Sequence, residues 1–352
     1  MLILVSLFLK FQCKETYSPT GITVVEEDAF NNCNLLSTLK LPEGLIEISA
    51  RAFRNCARLL EINIPNSVKI IGDEAFYNCS SVYKMTFGNQ IESIGSGAFS
   101  LLSKIIVAPI PESVKYIGDE AFYGCYSIKN LTLGKQLQYI GSSAFYECRM
   151  IPNIIEIPET ITIIRPFSFS MCEKIKGVVL GNKTEIIGSF AFYKCSQLSG
   201  VLQIPDTVTN IGSYAFYSCD KLSGLSLGNE TCSLTNIGSY AFYGCSGISA
   251  ELKIPETITA INDYTFCSCR NLYGSLEMPD SITSIGQYSF YDCMKLNGTL
   301  KLPKSIESIP NYAFYRCFSL TGSIEMPDSI TSIGEYAFYE CIYLNGTLKL
   351  ST

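Results

Sequence analysis

The sequence predicts a repeat solenoid, one short structural unit copied end to end, and three columns of residues carry that reading. Phe occurs at Phe30, Phe53, Phe76, Phe99, Phe122, Phe145, Phe169, Phe192, Phe216, Phe242, Phe266, Phe290, Phe314 and Phe338, in steps of 23 residues early and 24 late, with one step of 26. Three residues after each Phe stands Cys, from Cys33 to Cys341, interrupted only by Leu102. Pro or Gly punctuates each unit, and from Pro65 to Pro255 the two alternate strictly. A unit of about 24 residues cannot bury its apolar face alone and must stack on its copies.

Within a unit such as 296–317, Leu300 and Leu302 alternate with Lys301, the period of a short strand with one buried face. Pro303 ends the strand because it cannot donate to a ladder. Ile306 and Ile309 cross a second face, and Ala313, Phe314 and Cys317 have the spacing of one helical or 3₁₀ turn. Gly stands four residues before most of the Phe (Gly72, Gly95, Gly118, Gly212, Gly286), which predicts a positive φ where the chain enters the turn.

The phrases Ile-Pro-Asp-Ser-Ile-Thr-Ser-Ile-Gly and Ala-Phe-Tyr-x-Cys resemble the BspA-like class of leucine-rich repeats, over residues 20 to 350. The resemblance implies a curved solenoid of about fourteen 23–26-residue units, with a parallel β-sheet on its concave side and short helical or 3₁₀ turns. It also implies display on the cell surface or secretion, and a non-catalytic adhesion or recognition role toward a protein ligand of a host or another cell, or toward a glycan. The competing reading of the same fold is an intracellular, cytoplasmic interaction scaffold.

Composition narrows the chemistry. The net charge of −6 and the lack of a Lys/Arg run argue against nucleic acid. With no His, the chain can form no Ser-His-Asp triad, Cys-His pair or His-ligated metal, so no catalytic residue, cofactor or metal site is expected. Met1–Leu9 is almost wholly apolar but too short to span a bilayer, so no transmembrane segment is expected in this chain. Residues 1–19 read as a signal remnant or an N-terminal cap, and 20–352 as the solenoid with its last unit incomplete, Leu348 and Leu350 leaving an open edge. That end predicts a fragment, or self-association.

Cysteines in one stacked column point the same way, a poor geometry for disulfides, and read as small buried hydrophobes. Cys13, Cys232 and Cys267 fall outside the column and are the candidates for exposed thiols. Asn78, Asn130, Asn182, Asn229, Asn297 and Asn345 head Asn-x-Ser/Thr tripeptides, candidate glycan acceptors in a eukaryotic secretory setting.

Three surfaces are candidates for contact. Val107, Pro109, Ile154, Val179 and Val201 gather apolar character at outward strand positions that are mostly polar elsewhere, and predict a protein-binding centre on the concave face. Lys253, Glu277, Lys301, Glu325 and Lys349 alternate in sign at successive strand centres and predict a charge ladder. Tyr214, Tyr217, Tyr240, Tyr243, Tyr288 and Tyr291 stand two before or one after a column Phe, three apart on one face, and predict a convex aromatic stripe. That stripe is either a semi-exposed ladder covering neighbouring coils or an alternative contact surface.

Overall fold

The computed structural model describes residues 13–229 and 231–345. The apolar stretch 1–9 and the strand end with Thr347, Leu348, Lys349 and Leu350 lie outside the described residues. The chain forms two compact units, residues 1–161 with 167–175, and residues 162–166 with 176–352. Each is a parallel β-solenoid.

The core of each unit is a stack of Phe rings. In the first, Phe30, Phe53, Phe76, Phe99, Phe122, Phe145 and Phe169 stack at 5.1–5.6 Å. In the second, Phe192 through Phe338 stack at 5.3–5.7 Å. Rings one coil apart sit near van der Waals contact, so the faces of each ring are covered by its column neighbours, while Phe87 meets Phe99 edge-on at 5.3 Å.

The segment around each Phe is not helical: among the described residues there is no α- or 3₁₀-helix. This corrects the expectation of short helical turns. Two residues per coil adopt a left-handed backbone, one two before the Phe and one two after it, as at Tyr214 (φ 59°) and Ser218 (φ 53°) around Phe216. No right-handed helical turn survives two such residues within five. Instead, alternate amides close i→i−3 turns and reach the next coil. Arg54 donates to the Arg51 carbonyl, while Phe53 donates to Ala75 of the following coil and Asn55 to Tyr77.

Positive φ is absent from the glycines four before Phe, which corrects a second expectation. A Cβ on Gly72 would lie 2.5 Å from the Ala50 amide nitrogen, and one on Gly212 would lie 2.4 Å from that of Ser189. Glycine stands there because successive coils touch backbone to backbone.

Those glycines follow a second strand ladder. In the first unit it is one continuous six-stranded parallel sheet, Val24–Val25, Glu47–Ile48, Ile70–Ile71, Ser93–Ile94, Tyr116–Ile117 and Tyr139–Ile140. In the second, Ile163–Ile164, Ile186–Ile187, Asn210–Ile211 and Asn236–Ile237 form a four-stranded sheet.

The strand face anticipated from the Leu-x-Leu pattern is built differently, as doublets. Glu61–Asn63 pairs with Lys84–Thr86, Val107–Pro109 with Asn130–Thr132, and Gly200–Gln203 with Leu222–Ser226. Lys84–Thr86 and Val107–Pro109 belong to separate sheets. The doublets account for the Pro/Gly alternation. Each of these doublets runs from a Pro coil to a Gly coil, and the Gly lets the backbones close: a Cβ on Gly88 would lie 2.1 Å from the Pro65 carbonyl oxygen. The amide after the Gly is capped by the side chain after the Pro, Asn89 by Asn66, Lys135 by Glu112 and Asn229 by Asp206. Across the boundary to the next doublet a hydroxyl reaches back instead. Ser113 donates to the Ile91 carbonyl and Thr207 to that of Thr184, each at 2.7 Å. Between Pro65 and Gly228 the two residues therefore mark two alternating interfaces.

At the N-terminus Thr16–Tyr17 pairs in parallel with Thr38–Leu39, and the Tyr17 ring lies 4.2 Å from Phe30, where the Phe of a preceding coil would stand.

Candidate functional site

The thiol column has a chemical role that packing alone does not express. Along the column from Cys56 onward, Sγ–H groups donate to the carbonyl oxygen of the Phe one coil earlier, Cys56 to Phe30 at 3.2 Å, Cys125 to Phe99 at 3.1 Å and Cys245 to Phe216 at 3.1 Å. That oxygen already accepts the amide of its own turn, as Phe53 does from Cys56, so the thiol fills its second lone pair. Burial pushes the Cys125 and Cys245 thiols up to about 12, which makes them poor nucleophiles. Cys33, on the first coil, instead forms a disulfide with Cys13, so these two are not thiols. Cys232 and Cys267, expected as candidates for exposure, are both buried. Among the described residues no group of three or more His, Cys, Asp or Glu is arranged to hold a metal.

The aromatic stripe lies in the second unit as a stack. Phe190, Tyr214, Tyr240, Tyr264, Tyr288 and Tyr312 follow one another at 4.4–4.6 Å, within 8° of parallel. A second row runs Tyr193, Tyr217, Tyr243 at 5.0 and 4.7 Å, and Tyr291 stacks on Tyr315 at 4.8 Å. Ring faces are consumed by neighbouring rings, so an incoming ligand meets ring edges and hydroxyls. Such a surface offers no flat platform for a sugar except at its exposed last rings, Tyr336 and Tyr339.

On the alternating-charge face, Glu277 and Lys301 are register partners, and Lys253, Glu277, Lys301 and Glu325 are all exposed. No ion pair within 4 Å joins them among the described residues, and Lys349 lies outside those residues. The contact pair is Lys304 with Asp280 at 2.7 Å, one bend further along, and its hydrogen bond holds the Asp280 carboxyl below the ordinary range. Exposed side chains gain too little from pairing to be drawn together at every step.

The five apolar strand residues all point outward. In the first unit Val107 and Pro109 share the strand Val107–Pro109, register partners of Asn130 and Thr132, and Ile154 lies in Ile154–Glu156. In the second, Val179 lies in Gly177–Val179 and Val201 in Gly200–Gln203, where the Val201 methyls cover Gly224. Val107, Ile154, Val179 and Val201 are 44–56% exposed.

The strand-centred reading missed a further column in the first unit. Leu60, Tyr83 and Ile106 occupy the position just before the strand on successive coils and are 45–48% exposed. Tyr83 donates its hydroxyl to Glu61 at 2.9 Å, and Lys84 reaches the same carboxylate at 3.4 Å. The Tyr83 hydrogen bond first, then Lys84, holds Glu61 below the usual carboxylate range. The signal was the 23-residue recurrence of large apolar residues at a position that is Ser37 one coil earlier and Lys129 one coil later.

The model of the BspA-type leucine-rich repeat region matches residues 3–125, 102–223, 200–321 and 273–350. The chain belongs to the BspA-type leucine-rich repeat family. It is similar to a leucine-rich repeat protein from Bacteroides ovatus, 30% identical over 93% of this chain and 83% of that one, with a TM-score of 0.73. It is also similar to a leucine-rich cell surface protein from Faecalibacterium prausnitzii, 25% identical over 94% of this chain and 82% of that one, TM-score 0.49. A search of curated proteins returned no match. The BspA-type repeat is a protein-interaction fold and its family is in general non-catalytic. No helix of the described residues is long and apolar enough to cross a membrane.

Proposed function

We propose that this BspA-type repeat protein is a surface-displayed, non-catalytic adhesion or recognition module that binds protein partners through its strand face. The observation that carries this reading is the set of outward apolar side chains there, Val107, Pro109 and Ile154 in one unit and Val179 and Val201 in the other, at positions a solvated strand fills with polar residues. Glycan is the lesser partner class, because the stacked tyrosines hide their faces. Display outside the cytoplasm is supported by the Cys13–Cys33 disulfide, a bond that persists in oxidising compartments. Within the 1–19 segment, Thr16–Tyr17 caps the first coil by pairing with Thr38–Leu39, and the solenoid runs from residue 20.

The test is adhesion of beads coated with the protein to cultured cells. Val107→Ser with Ile154→Ser, and separately Val179→Ser with Val201→Ser, should each lower adhesion while circular dichroism stays unchanged. Undiminished adhesion in both variants would remove the strand face from consideration.

A further inference from the structure

The exposed column Leu60, Tyr83 and Ile106 carries an inference about partner chemistry that rests on the protein-binding reading. Repeating positions on successive coils of a parallel solenoid lie about 4.8 Å apart. The three side chains, with Val107 beside Ile106, therefore form a short apolar strip along the first unit. The strip crosses the opening between the doublets, where Lys84–Thr86 and Val107–Pro109 share no sheet.

The charges around it are one-sided. Over the strand segments 57–65, 80–88, 103–111 and 126–134 the charged residues are Arg58, Lys84, Lys104 and Lys129 against Glu61 alone. All four cations are exposed. The single carboxylate is already engaged by the Tyr83 hydroxyl and Lys84. A chain of net charge −6 thus places an uncompensated basic rim around its one strip of three successive large apolar residues at this position. A basic partner is repelled, and a purely apolar one leaves the rim unused. We propose that Leu60, Tyr83 and Ile106 form the docking strip for an acidic, hydrophobic segment of a partner protein, its apolar side chains on the strip and its carboxylates on Arg58, Lys104 and Lys129.

The experiment is selection of a random dodecapeptide phage library on the immobilised full chain, with Leu60→Ser/Ile106→Ser and Lys104→Glu/Lys129→Glu as parallel targets. Both variants should keep the parent circular dichroism and melting temperature, since every altered side chain is exposed. Expected are peptides enriched in Asp or Glu beside Leu, Ile or Phe. The Ser variant should weaken them about tenfold or more, and the charge-reversed variant should weaken them and flatten their salt dependence. Enriched peptides that are basic, or that bind the Ser variant equally, would overturn the acidic strip while leaving protein binding intact. Failure of the folded parent chain to enrich any peptide would overturn both.

Discussion

The thiol of Cys219 donates to the carbonyl oxygen of Phe192, one coil back, at 3.2 Å. The same relationship ties Cys293 to Phe266 and Cys317 to Phe290, so the Cys column works as a row of cross-coil hydrogen bonds and not merely as small filler. Cys219→Ala should cost about 1–3 kcal/mol, from lost volume and one half-satisfied carbonyl. Cys219→Val restores volume without the donor and should recover only part of that. Chemical denaturation of both variants checks the order; a Val variant as stable as the parent would reduce the thiol to packing.

Alkaline pH should unfold the protein early. Burial raises the Cys125 and Cys245 thiols to about 12 in the folded chain, against about 8.5 when unfolded. Their contribution is complete below about pH 8.5 and is lost as pH rises toward 12, because only the unfolded chain can then ionise them. At pH 10 the loss is on the order of 1–2 kcal/mol per buried thiol. The melting temperature should fall steeply between pH 8 and pH 10, and less steeply in Cys125→Ala/Cys245→Ala. An equal fall in the two proteins would assign the alkaline sensitivity to other groups.

Phe216→Ala should cost about 3–5 kcal/mol. It opens a gap in a stack that contacts Phe192 at 5.3 Å and Phe242 at 5.5 Å. Hydrogen exchange should rise on both flanking coils before it rises at the ends of the unit. Exchange confined to the mutated coil would contradict the nearest-neighbour picture.

Glycine substitutions should sort by mechanism. Gly212→Ala puts a Cβ 2.4 Å from the Ser189 amide nitrogen, so the coils must part, and a loss of about 2 kcal/mol or more is expected. Leu101 has φ 62° and sits where another coil carries Gly124. Leu101→Gly should therefore be neutral or stabilise by up to about 1 kcal/mol. Thermal melts of the pair decide: a harmless Gly212→Ala would mean the coils have slack.

The Phe and Cys columns and the Leu-x-Leu strand were legible because burial imposes identity at a fixed interval. The left-handed positions were not, since Arg51, Glu74 and Tyr214 carry no local preference for that backbone and are held there by coil-to-coil hydrogen bonds. The glycines four before Phe were visible but ambiguous: close approach and positive φ select the same residue. The second ladder hid behind two-residue strands such as Ile70–Ile71, too short to show alternation. The Cys13–Cys33 bond joins a cysteine outside the column to one inside it, which column logic cannot anticipate. On the candidate face, outward strand positions were readable from alternation, whereas Leu60, Tyr83 and Ile106 precede the strand and fall outside that alternation.

The pairing of Pro coils with Gly coils also sets how such a chain can change length. Between Pro65 and Gly228, an odd Gly coil would bring Gly against Gly and leave one interface without its hydroxyl bridge, whereas Pro against Pro already occurs at Pro42 and Pro65, where Ser67 donates to the Leu45 carbonyl. Duplication of a Pro–Gly pair of coils, near 46 residues a step, preserves both kinds of interface there. Beyond Pro255, where Pro279, Pro303 and Pro327 follow without alternation, a single 24-residue coil is the natural increment. One gene would then carry two length quanta, a coarse one in its middle and a fine one toward its C-terminal end.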